Sequence, residues 1–147
     1  MTEISRSALL PYPAAKIFEL INDIAAYPQY MDGCVGTELL SEGLDEHGEK
    51  VIEARLDLSK AGFRHSLTTR NRIKPPHSVE MTLVDGPFDD FSGLWSVQVL
   101  ADSACKVSLV LNFTLSSKVL SAATKLLFNS MADDLVDALV KRAHHLS

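Results

Sequence analysis

Apolar and polar residues alternate with a period of two through most of the middle of the chain. The clearest case is "CKVSLVLNFTL", where Cys105, Val107, Leu109, Leu111, Phe113 and Leu115 alternate with mostly polar neighbours. In "VIEARLDL", Ile52, Ala54, Leu56 and Leu58 oppose Glu53, Arg55 and Asp57. "FRHSLTTRNRI" sets Phe63, Leu67 and Ile73 against Arg64, Arg70 and Arg72, and "VEMTL" sets Val79, Met81 and Leu83 against Glu80 and Thr82. Such alternation predicts an antiparallel sheet with one face covered and one wet. "LDEHGE", "SKAG", "KPPH" and "ADSA" read as turns. Residues 3 to 10, "EISRSALL", add a short first strand.

The two ends carry helical spacing instead. In "PYPAAKIFELIND", Pro13 suits a first helical position, and Ile17, Phe18, Leu20 and Ile21 form an apolar stripe. "AAYPQYMDG" predicts a second short helical or turn segment, interrupted by Pro28 and ended by Gly33. At the other end, Leu120, Leu127, Met131, Leu135, Leu139 and Leu146 share one side. Phe128, Ala132, Val136 and Val140 widen that stripe beyond a coiled-coil seam. This pattern predicts one continuous helix of about 28 residues, on the order of 42 Å long. The order is strand, two short helices, about six antiparallel strands and a long helix, an α+β class in one domain over residues 1–147. The helix stripe and the apolar sheet face must bury each other, and a twisted sheet curling round one helix leaves space between them.

One connection departs from the simple pattern. "LVDGPFDDFSGLWSV", residues 83 to 97, carries the Asp85-Gly86 signal of a two-residue hairpin. Closing that turn onto Val84 needs an N–H at residue 87, which is proline. A wider connection is predicted, with Phe88 and Phe91 either capping the core or lining the mouth of a pocket beside Trp95.

Composition narrows the class. A chain of 147 residues, 46% hydrophobic and 22% charged, is ordinary for a globular domain, and the net charge of −5 disfavours a protein devoted to nucleic acid. DNA is not an expected partner. No apolar run approaches the roughly 20 residues of a membrane span, and the N-terminus lacks the pattern of a signal peptide. A cytoplasmic location is the default, with peripheral attachment at the inner membrane as the alternative. Cys34 and Cys105 form no C-x-x-C pair and read as buried thiols rather than a disulfide.

Candidate chemistry is sparse. His47, His77, His144 and His145 have no metal-ligand spacing, so no metal is expected. His65 shares the inward parity of Phe63 and Leu67, with Thr69 and Asn71 on the same row. That row is either a satisfied polar network or a set of oriented hydrogen-bonding groups in a cavity. No nucleophile elbow or phosphate-cradling loop is present, and no catalytic residue is assigned. Arg64, Arg70, Arg72 and Lys74 make the one basic strip. It either pairs with acids such as Glu80, Glu53 or Asp57, or meets RNA or an acidic protein.

"LVDGPFDDFSGLW", with "TRNRI" before it and "CKVSLVLNF" after it, resembles the coenzyme-Q-binding START-like family. Its bacterial members are often labelled ribosome association toxins or polyketide cyclase/dehydrase-like proteins. "SRSALLPYPAAKIFELINDIAAYPQYMDGC" and "VDALVKRAHHL" fit the same pattern, so the resemblance covers essentially the whole chain. It implies a helix-grip fold, a sheet wrapped round a long C-terminal helix with a hydrophobic cavity between. It also implies non-catalytic binding of ubiquinone or a related isoprenoid or lipid in support of respiration, with no cofactor required. Carried onto this chain, Met81, Leu83, Trp95 and Val97 line the pocket, and Leu127, Met131 and Leu135 form its other wall. Tyr27, Pro28, Phe88 and Phe91 stand near the mouth, and His65 is the polar candidate.

Two positions depart from the family pattern. Asp32-Gly33 stands where a Pro-Trp pair is common before the cysteine, and Asp89-Asp90 follows "GPF" where a basic residue is common. The first removes an aromatic from the rim, and the second weakens contact of that loop with rRNA or anionic lipid. The alternative function is a ribosome association toxin that binds the large ribosomal subunit and blocks 70S formation, through the Arg64, Arg70, Arg72 and Lys74 strip. A second alternative is a polyketide cyclase/dehydratase-like enzyme, for which His65 is the only acid–base candidate. Expected partners are therefore a hydrophobic small molecule, then the large ribosomal subunit, then a transient membrane surface.

Overall fold

The computed structural model describes residues 2–60 and 62–146. Strand β1 (Thr2–Leu10) leads into α1 (Ala14–Asn22), a 3-10 turn (Ile24–Ala26) and α2 (Tyr27–Tyr30). Six strands follow: β2 (Cys34–Leu44), β3 (Lys50–Lys60), β4 (Phe63–Lys74), β5 (Ser78–Asp85), β6 (Phe88–Ala101) and β7 (Ala104–Leu115). The chain closes with α3 (Ala122–Asn129) and α4 (Met131–Leu146). All neighbours in the sheet are antiparallel, in the order β1-β7-β6-β5-β4-β3-β2. Because β1 and β2 lie at opposite edges, α1 and α2 must carry the chain across one face of the sheet.

The alternation seen in sequence sets which face is covered. In β7 every second residue from Cys105 to Leu115 is buried while the intervening ones are half-buried. α4 packs on β1 and β7, with Ala132, Val136, Leu139 and Ala143 buried against them. Its flanks are tied on both sides. Arg6 of β1 donates to Asp137 at 3.0 Å, and Arg142 donates to Gln29 at 3.0 Å while lying over the Tyr30 ring. A smaller cluster of Tyr27, Met31 and Cys34 joins α2 and β2 to Leu135 and Ala138 of α4.

The expected single C-terminal helix is broken in two. Ser130 leaves helical geometry at φ −93° and ψ 1°. Its hydroxyl lies 3.2 Å from both the Leu127 carbonyl and Asp134 Oδ2 and shares its one proton between them, a local bonding choice that competes with helix continuation. α4 alone is about 24 Å long at 1.5 Å per residue. α3 is a separate arm whose one buried side chain is Phe128.

The β5–β6 connection is wide, as Pro87 requires. The last β5–β6 pair is Thr82 with Ser92. Beyond it β5 stays with β4 and β6 stays with β7, each through a bulge, and the Pro87 carbonyl accepts from the Ser116 amide at 3.0 Å. The strand ends thus splay apart. Phe88 turns inward into an aromatic cluster, 5.1 Å from Phe91, 5.9 Å from Phe113 and 5.2 Å from Phe128. Further along β6, Gly93 sits between Met81 and Leu111, and a Cβ there would lie 2.5 Å from the Met81 methyl. The glycine lets those two side chains meet across the strand.

Truncating Phe128 leaves a void among Phe63, Phe88 and Phe113. Phe128→Ala is expected to lower unfolding stability in urea by roughly 3–5 kcal/mol, whereas Leu126→Ala, at an exposed position of the same helix, stays within about 0.5 kcal/mol.

Candidate functional site

A cavity of about 130 Å³ lies between the concave face of β3–β6 and the helices α2, α3 and α4. Its walls follow from strand parity. Ala54, Leu56 and Leu58 come from β3, Leu67, Thr69 and Asn71 from β4, Val79 and Met81 from β5, and Phe91 and Trp95 from β6. Leu127, Phe128, Met131 and Leu135 close it from the helical side, and Ile21, Ile24, Tyr27, Met31 and Cys34 from the crossover. The lining is overwhelmingly apolar. Its deep polar feature is one pair, in which the buried Thr69 hydroxyl donates to Asn71 Oδ1 at 2.8 Å.

Charge is confined to one side of the cavity. Lys60, at the end of β3, reaches Asp32 at 3.0 Å and Asp134 at 3.9 Å, and all three residues line the cavity. The hydrogen bond to Asp32 holds the Lys60 ammonium above the usual lysine range, with burial acting against it. The ion pairs link the loop after α2, the end of β3 and the first turn of α4. Gly33 adopts φ +89°, and its carbonyl accepts from the Ser59 amide at 2.8 Å, which ties that loop to β3. Asp32 thus supplies an ionic contact at this side of the cavity.

Burial pushes both the Cys34 and Cys105 thiols up, away from the reactive thiolate. Tyr27 is raised by burial and its hydroxyl donates to the Ile21 carbonyl. Tyr30 is pushed up to about 12, chiefly by burial, with Arg142 opposing. Among the described residues no cluster of three His, Cys, Asp or Glu side chains could hold a metal ion, and no helix is long and apolar enough to cross a membrane.

The cavity gathers Tyr27, Met81, Phe91, Trp95, Leu127, Met131 and Leu135 from the residues expected to line it. It leaves out the other five. Pro28 is exposed in α2. Leu83 is half-buried against the core on the part of β5 that has left β6. Phe88 caps the core through its aromatic contacts instead of standing at the mouth. Val97 is buried in the main core on the strand that α1 packs against. His65 has inward parity yet is exposed, because β4 extends past the helical cover; its ring rests on Phe63 at 4.6 Å. Sequence reasoning missed Asp32, Lys60 and Asp134 as a group, since nothing local links positions so far apart.

The basic strip divides. Arg72 pairs with Asp45 at 3.2 Å and Glu80 at 3.8 Å, and Lys74 pairs with Glu80 at 2.9 Å. Arg64 and Arg70 form no ion pair among the described residues.

An open sheet gripping a C-terminal helix over an apolar cavity is the arrangement to compare with known proteins. A family model described as polyketide cyclase / dehydrase and lipid transport matches residues 10–140. The chain belongs to this family. A protein named Ribosome association toxin RatA, from Vibrio cholerae, is 41% identical over 143 residues, covering 97% of this chain and 96% of that protein. Among solved structures, a START superfamily protein from Mycobacterium smegmatis matches with a TM-score of 0.81 at 21% identity, over 99% of both chains. The Zhui aromatase/cyclase from Streptomyces sp. R1128 matches with a TM-score of 0.77 at 20% identity, over 97% of this chain and 93% of that one. At those identities the two structures share the fold with this member of the polyketide cyclase/dehydrase and lipid transport family. His65, on which a cyclase-type site would depend, lies outside the cavity.

Proposed function

We propose that this protein is a ribosome association factor that binds the large ribosomal subunit and blocks its joining to the small one. The observation that carries this reading is near full-length similarity, at 41% identity, to a protein named Ribosome association toxin RatA. From sequence alone lipophile binding ranks first; the comparison supports ribosome association at least as well. The acidic total does not oppose it, because charges on a folded surface act locally within a Debye length of about 8–10 Å. Purified protein added to separated ribosomal subunits should shift sucrose-gradient profiles from joined ribosomes toward free subunits. An unchanged profile at a large molar excess contradicts the proposal.

A second reading rests on the cavity itself, which suits a lipophilic ligand. At about 130 Å³ it is smaller than the roughly 300–1,000 Å³ that encloses a drug-sized molecule. It compares with a cavity of about 150 Å³ that takes up benzene. The space therefore matches a single ring, such as a quinone head beside Thr69 and Asn71, with any isoprenoid tail leaving past Lys60. Apolar burial at about 25 cal/mol per Å² drives such binding. A short-chain ubiquinone at 100 times its Kd is expected to stabilise the protein by about 2.7 kcal/mol, a rise of several degrees in Tm. No rise, together with no quinone in solvent extracts of the purified protein, removes this reading. The cavity is internal and the docking face external, so both activities fit one molecule.

A further inference from the structure

A second concavity lies on the other side of α3. It is an open groove of about 470 Å³ between the β3–β4 turn and the segment leading into α3. Arg64 and Lys118 both line it, with His65, Ser121 and Thr124. None of its ten described lining residues is a carboxylate. That is notable in a chain with 19 acids and 14 Lys and Arg residues. Arg6, Lys50, Arg55, Lys60, Arg72 and Lys74 are all held in ion pairs. Arg64 and Lys118, like Lys16, Arg70, Lys106, Lys125, Lys141 and Arg142 elsewhere, are in none among the described residues; what sets these two apart is that both are exposed and both line this groove.

We infer that this groove binds the phosphate backbone of single-stranded RNA. The inference rests on the ribosome association reading and names the surface and the chemistry by which it acts. Two cations without local counter-charges, on opposite walls, give a polyanion strand a favourable track. The exposed His65 ring, already resting on Phe63, adds a face on which a base can stack. Concavity selects a protruding chain over a flat surface, so a phosphodiester strand enters where a bilayer cannot. The revised contact is narrower than the Arg64, Arg70, Arg72 and Lys74 strip. Arg72 and Lys74 drop out because Asp45 and Glu80 neutralise them. Lys118, remote in sequence, comes in. Phe63 and Leu127 line both this groove and the apolar cavity, so the two sites share a wall.

The test is fluorescence anisotropy of a labelled single-stranded oligoribonucleotide titrated with the full chain across a range of KCl. Arg64→Ala/Lys118→Ala is compared with Arg72→Ala/Lys74→Ala, which removes the same formal charge. At about 0.7 per neutralised phosphate on a single strand, the groove variant should lower the slope of log K against log[salt] by about 1.4. The control variant should keep the wild-type slope. Equal slopes in the two variants overturn the inference, since net charge alone would then explain binding. Binding to phosphatidylglycerol vesicles but not to the oligonucleotide also overturns it, and would assign this face and the exposed Leu120 and Leu126 to a membrane. Wild-type protein that binds RNA through the groove yet leaves subunit joining unchanged contradicts the ribosome reading and leaves the groove standing.

Discussion

Phe128 is the interaction on which both candidate surfaces depend. Its ring meets Phe63 of β4 at 5.1 Å, Phe88 of β6 at 5.2 Å and Phe113 of β7 at 6.0 Å. No other side chain of α3 is buried, and Leu126 of the same helix is 72% exposed. Eight residues are therefore placed by the Phe128 ring, by the half-buried Leu127 and by the Ser130 junction. Segments with so little buried apolar area open most readily in a folded protein. α3 nonetheless closes the apolar cavity on one side and forms a wall of the basic groove on the other.

That economy explains how one chain accommodates two readings. The sheet and α4 are packed through Val107, Leu109, Val136 and Leu139, all essentially inaccessible to solvent, and such cores have few discrete alternatives. Adaptability is left to α3 and to the Asp32–Lys60–Asp134 contacts. An exposed ion pair contributes only about 0–1 kcal/mol, so those contacts restrain the cavity side weakly. A small cavity with a weakly held wall can admit a ring without disturbing the sheet.

Much of this was legible in the sequence where a local rule applied. Alternation from Cys105 to Leu115 predicts β7 residue by residue, and Pro87 predicts the splayed β5–β6 connection because a proline has no N–H to close the turn. The helix break at Ser130 was not legible, since Leu127, Met131 and Leu135 keep helical phase across it; the cause is a side-chain hydrogen bond that hydropathy does not register. Parity alone placed His65 inward, because alternation tells which face a residue takes but not how far the helix covers that face. Val97 and Leu83 failed for the related reason that a strand of 14 or 8 residues outruns a small cavity. The Lys60 contacts and the Arg64–Lys118 groove join residues that only the folded chain brings together.

Amide hydrogen exchange on the free protein and on its mixture with large ribosomal subunits tests the account most directly, because it reads α3 and α4 separately. Residues 122–129 are expected to exchange far faster than the buried turns of α4 in the free protein, and to slow when subunits are added. Exchange in α3 as slow as in α4, or unaltered by the subunits, contradicts it.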